Sequence, residues 1–158
     1  MDPRFAPAWI AFAHAFSFEG EHEHAVTAYS TCARLYTGSH LPLMFLGMEH
    51  IILSNKQQAE DTLAAAQHMC DGDPLLYNER GVMAFSNEEY VPSPDCYHHL
   101  LTEGASYETA VTLFQGAIDL AKIVQASQKS WIPTYLNLGT ALRKLGYTAS
   151  PRYSLPRL

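Results

Sequence analysis

Eight histidines in a chain of 158 residues are the first place to look for chemistry, because a neutral imidazole binds metal and a titrating one moves protons near neutral pH. The densest group is FEGEHEHAV, residues 18–26, where His22 and His24 stand among three glutamates. Two residues apart on a helix, they point to different faces, unlike the i, i+4 pair of a zinc-binding helix. A second cluster, Cys96-Tyr97-His98-His99, lacks a second ligand pair at a sensible spacing, so a loop rich in polar residues is preferred there to a metal site. The motifs GxSxG, GxGxxG, HExxH and the P-loop are all missing from the sequence. His14 and His50 read as packed or groove-lining side chains, and Cys32 as a small core residue, not a nucleophile. The expectation is a chain that is not an enzyme, with no catalytic residue, no metal and no cofactor.

Composition narrows the partners. A content of 47% hydrophobic and 16% charged residues fits one packed, soluble domain or a piece of one, and a net charge of −6 argues against nucleic acid. Cys32, Cys70 and Cys96 are odd in number and form no CxxC, which reads as reduced thiols inside a cell. The start MDPRFAPAWIAF lacks a basic region followed by a long apolar run. Nor does any apolar stretch approach the roughly 18 residues a membrane helix needs. No membrane partner and no secretion are expected.

The elements that must position these residues follow from a repeat. Shifted by 34 residues, the sequence brings Trp9, Leu43 and Tyr77 into one column, Ala13, Gly47 and Gly81 into another, and Ala25 and Ala59 into a third. Phe12 then falls with Leu46, Tyr29 with Leu63, and Cys32 with Ala66. Trp9, Phe12, Ala13 and Phe16 form one helical stripe, and Ala25, Tyr29 and Cys32 another, which is a pair of antiparallel helices per unit. Small residues allow the backbones to approach while large neighbours fill the gap. Pro7, Pro42, Pro74 and Pro133 mark first-helix starts, with Asp73 capping the third, and Gly20 ends the first helix. Glu21 and Glu23 then open the second helix, where its dipole favours negative charge, and the His22 ring packs at the turn.

This is the tetratricopeptide pattern, W-x2-L-G-x2-Y followed by A-x3-F-x2-A. The predicted fold is an all-α helical solenoid over residues 1–147, with repeats at 6–39, 40–73 and 74–124 and a partial repeat at 132–147. Ala110, Phe114 and Ala117 restore the second-helix pattern late, 51 residues after Ala59, so 91–107 reads as an insertion of 17 residues. With Pro92, Pro94 and Gly104 it is expected to be a loop, with or without a short helical turn near Tyr97 to Thr102. Residues 148–158, carrying Pro151 and Pro156, are expected to be an irregular tail.

The runs DPRFAPAWIAFAHAFSFEGEHEHAVTAYSTCARLYTGSHLPLMFLGMEH, DPLLYNERGVMAF and YLNLGTALRKLGY carry a more specific likeness. Over residues 2–90 and 107–147 the chain resembles a tetratricopeptide scaffold subunit of the anaphase-promoting complex (cyclosome), as a fragment or variant. The resemblance implies a non-catalytic part of a ubiquitin ligase that marks mitotic regulators for degradation. It also implies a nuclear and cytoplasmic location, a homodimer for the full-length protein, the other subunits as partners and a small subunit bound in the inner groove. The alternative is another tetratricopeptide adaptor or co-chaperone that binds peptides.

In the family's register the concave face takes the second, fifth, ninth and twelfth positions of each repeat. From these the partner-groove candidates are Ile10, His14, Met44, Met48, Ile51, Asn78, Val82, Phe85, Leu136 and Arg143. The face is mostly apolar and its methionines are adaptable. Of the Lys and Asn residues with which chaperone-binding relatives grip a carboxylate, only Asn78 is present. For Met44, Met48 and Ile51, packing between repeats is an equal alternative. Arg80 stands where leucine is usual, either reaching solvent over a packed stem or pairing with Glu79, Glu49 or a partner.

Overall fold

The computed structural model describes residues 5–86 and 100–146. They fall into two compact units, Met1–Asp71 and Gly72–Leu158. The first holds α1 (Ala6–Phe18), α2 (His22–Leu35), α3 (Leu41–Ile52) and α4 (Lys56–Met69). The second holds α5 (Pro74–Ser86), α6 (Leu100–Ile123), a short 3-10 turn (Gln128–Trp131) and α7 (Ile132–Lys144). Among the described residues there is no strand, and in each unit successive helices pack on one another in chain order.

Local chemistry sets the helix ends. Pro7, Pro42 and Pro133 lie in the first turns of α1, α3 and α7, where a missing N–H leaves no bond unmade. The Leu75 N–H donates to the Asp73 carboxylate at 2.9 Å, capping α5. Gly20 takes a positive φ of 80°, and the Glu21 N–H turns back to the Phe16 carbonyl at 2.9 Å, which closes α1 and reverses the chain into α2. One period later Ser54 has φ 60°, with the Asn55 N–H on the His50 carbonyl at 2.8 Å. The same left-handed turn is made there without a glycine, at a cost of about 1 kcal/mol.

Packing within each pair depends on the small-residue column. A Cβ built on Gly47 would stand 2.6 Å from Leu63, and one on Gly81 would stand 2.7 Å from the Phe114 ring. Leu63 and Phe114 are fully buried. Each large side chain of a second helix therefore rests directly on the bare backbone of its first helix. In the first pair Ala13 serves the same purpose beneath Tyr29 and shares a core with Ala25, Ala28 and Leu46. In the second unit Phe114 joins Ala84, Ala110, Ile118, Leu138 and Leu142.

Two sequence expectations change. Residues 100–106, expected to belong to an inserted loop, continue α6 upstream of Tyr107. Gly104 has the pattern of a breaker, yet a glycine costs a helix interior only about 1 kcal/mol. Residues 91–99 and the tail 148–158 lie outside the described residues. The aromatic stripe of α1 is also not all core. Leu46 and Leu138, each just before a small-column glycine, are 8% and 4% exposed, whereas Phe12, in the same position before Ala13, is 53% exposed.

Gly139, in the same column of α7, has nothing within 4 Å of where a Cβ would stand. Gly81→Ala is therefore expected to destabilise the protein by about 1–3 kcal/mol through overpacking on Phe114. Gly139→Ala should be neutral or stabilising by up to about 1 kcal/mol. Urea unfolding followed by circular dichroism distinguishes the two. Equal losses would show that close approach is not the cause.

Candidate functional site

The candidate groove residues divide between the two units. On α1, Ile10 is half-buried and His14 exposed; on α3, Met48 and Ile51 are half-buried. Met44 is 1% exposed. Its turn of α3 faces inward, so it is a core side chain that a partner cannot reach, and packing is the alternative that holds for it. In the second unit Asn78, Val82 and Phe85 of α5 are half-buried, while Leu136 and Arg143 of α7 are exposed. Val82 and Phe85 pack against the core of that unit, and the Phe85 ring meets Tyr107 edge-on at 5.6 Å.

His14 is held on two sides by the first unit. Its Nδ1 lies 2.5 Å from the Tyr29 hydroxyl. Its ring stands edge-on to Tyr29 at 5.6 Å and to Phe45 at 4.6 Å. Tyr29 is 1% exposed. Burial, and then the charge of Glu49, push its phenol up from 10.0 to about 12. The phenol stays a neutral donor at any ordinary pH. The period places Tyr29 with Leu63 and Phe114 as a core residue; its hydroxyl, opposite a histidine on the neighbouring helix, is the signal that the period leaves out.

The histidine-rich turn at residues 18–26 resolves into two histidine–carboxylate contacts. His22 does not simply pack: its Nδ1 meets the Glu49 carboxylate at 2.8 Å, linking the start of α2 to α3. Glu49 is 3% exposed, so His22 is the compensation that lets a carboxylate lie in the core. His24 pairs with Glu21 at 3.0 Å on the surface, where such a contact adds little. His50 Nδ1 is buried without a hydrogen bond, and burial lowers its pKa against the opposing pull of Glu49. Among the described residues no three His, Cys, Asp or Glu side chains come together as metal ligands. The Cys96-His98-His99 cluster lies outside those residues.

Asn78, the one residue shared with carboxylate-gripping relatives, is already engaged. Its Oδ1 accepts from the Thr134 hydroxyl at 2.8 Å and its Nδ2 donates to Glu79 at 2.9 Å. Thr134 is 3% exposed, so the bond ties α7 to α5 inside the second unit. Burial raises the Glu79 pKa, opposed by the Asn78 hydrogen bond.

No protein-family model matches the chain. It is 44% identical over 145 residues to anaphase-promoting complex subunit cut9 of Schizosaccharomyces pombe, covering 92% of this chain and 19% of that protein. It is 37% identical over 145 residues to subunit CDC16 of Saccharomyces cerevisiae, covering 92% and 15%. The chain thus spans less than a quarter of the length of the curated relatives it matches. The crystal structure of the Cut9-Hcn1 hetero-tetramer superposes with a TM-score of 0.77 at 44% identity, covering 92% of this chain and 25% of that one. The first tetratricopeptide domain of Spaghetti (RPAP3), solved with an HSP90 peptide, superposes at 0.70 with 12% identity, covering 93% and 98%, a likeness of fold alone.

Two outcomes follow from the buried polar groups. Tyr29 keeps its proton beyond 10.0, where the unfolded chain releases it, so stability should fall as pH rises from 10.0 to about 12. Tyr29→Phe should flatten that fall in urea unfolding series at stepped pH; an unchanged fall would assign it to other groups. His22→Ala should cost on the order of 1–3 kcal/mol by stranding Glu49, and His22→Ala with Glu49→Leu should recover part of the loss. If the double variant is no better than the single one, the carboxylate is not compensated by His22.

Proposed function

We propose that this chain, a Cut9-like tetratricopeptide segment in sequence and in fold, serves as a non-catalytic interaction scaffold of the anaphase-promoting complex. In that role it helps hold together a ubiquitin ligase that marks cell-cycle regulators for degradation. The observation that carries the reading is the 44% identity with Cut9 over 92% of the chain, joined to a TM-score of 0.77 against the Cut9-Hcn1 structure.

The partners are other subunits of the ligase and a small Hcn1-like subunit lying along the first helices. The longer polypeptide forms a homodimer in the nucleus and cytoplasm. Ile10, His14, Met48 and Ile51 form the contact face of the first unit, and Asn78, Val82, Phe85, Leu136 and Arg143 that of the second. Half-buried apolar side chains beside a few fixed polar groups suit a helical or extended protein segment. The co-chaperone alternative would need Asn78 free to grip a carboxylate, but both ends of its amide are occupied by Thr134 and Glu79.

Titration calorimetry of the chain with purified fission-yeast Hcn1 tests the reading. Binding is expected, with Ile51→Glu weakening it at least about tenfold by burying a charge. Glu60→Ala, an exposed position on α4, should leave it unchanged. No binding by the native chain, together with absence of its full polypeptide from a tagged and purified ligase, would overturn the proposal.

A further inference from the structure

The tautomer of His14 is determined by its surroundings. Tyr29 is 1% exposed, and among the described residues the partner of its hydroxyl is His14 Nδ1. Had Nδ1 carried the proton and donated to the phenol oxygen, the phenol's own proton would be buried with no acceptor, a cost of roughly 1–3 kcal/mol. The arrangement without that cost has Tyr29 donating and Nδ1 accepting. The high pKa of the phenol keeps this donor in place. A neutral imidazole that accepts at Nδ1 carries its proton on Nε2. Tyr29 and Phe45 grip the ring edge-on, while the residue as a whole is exposed on α1.

We propose that His14 is a specificity-determining donor: its Nε2–H, fixed by Tyr29 on the opposite nitrogen, takes an uncharged carbonyl oxygen of the segment bound along the first unit. This rests on the scaffold reading above, and it adds the chemistry of one contact. Several observations favour a carbonyl over an anion. The chain carries a net charge of −6, Glu49 lies near enough to Tyr29 to raise its pKa, and a neutral imidazole has no charge to offer a carboxylate. The surrounding face is apolar, with Ile10, Met48 and Ile51 half-buried. A donor whose direction is set in advance loses little entropy on binding and disfavours segments that offer no acceptor at that place.

Two measurements test this on the full chain. Nitrogen-15 chemical shifts of the His14 ring should show a bare Nδ1 and a protonated Nε2 in the native protein, and a mixture of tautomers in Tyr29→Phe. A native ring protonated on Nδ1 would overturn the proposal whatever the binding result. In calorimetry with Hcn1, His14→Ala should lose about tenfold in affinity, and His14→Gln, whose amide can still donate, should regain part of it. The loss should be the same at low and high salt; a loss that shrinks with salt would identify a carboxylate and overturn the carbonyl assignment. If native protein binds Hcn1 and His14→Ala binds equally well, only the role of His14 fails. If native protein does not bind Hcn1, the donor role fails, and the scaffold reading fails with it when the full polypeptide is also absent from the purified ligase.

Discussion

The contact on which the rest of the structure depends is that of a large side chain on a bare helix backbone. Leu63 on Gly47 and Phe114 on Gly81 leave no room for a methyl group, so in those two pairs the first and second helices approach closely. Such a joint has one good register, because a shift by a single residue would put a Cβ where the ring lies. The prolines at the helix starts and the left-handed turns at Gly20 and Ser54 then bring each chain segment to the joint at the right angle. Side chains on the exposed faces of α3 and α5 inherit their positions from this apposition.

Polar groups enter the core only where the apolar joint leaves them a partner. Glu49 stands in a column that holds Met83 and Ala141 elsewhere, and it is tolerated because His22 reaches it across from α2. Thr134 is buried because Asn78 accepts its proton, and Tyr29 because His14 does. Each of these bonds joins a residue on one helix to a residue on another, so they make the packing specific as well as stable. They also occupy His22, the Oδ1 of Asn78 and the Nδ1 of His14.

Much of this was legible in the 34-residue period. The helix pairs, the small-residue column, the proline starts and the Gly20 turn are local or periodic features, and each has a physical cause acting within a few residues. The contact of His22 with Glu49 was not legible, because it joins residues 27 apart through the angle between two helices, which sequence spacing does not encode. Register alone puts Met44 on the groove, while its burial depends on how neighbouring side chains close over it. The start of α6 at Leu100 is hidden in the sequence because one glycine and a low local pattern outweigh six neighbours compatible with a helix. One sign of the buried carboxylate was present from the outset, an acidic residue in a column of apolar ones.

The order in which the helices touch has a kinetic consequence. Within each unit a helix packs chiefly on those next to it in the chain, so the ordering cost of closing long loops is small for most native contacts. Chains with such low contact order fold fast, from microseconds to milliseconds for small domains. They can also be assembled one hairpin at a time as they leave the ribosome. The α5–α6 pair departs from that pattern, since a longer connection must close before Phe114 can settle on Gly81. That pair therefore carries the largest loop-closure cost among the helix pairs of either unit, although such a cost grows only with the logarithm of the connection's length.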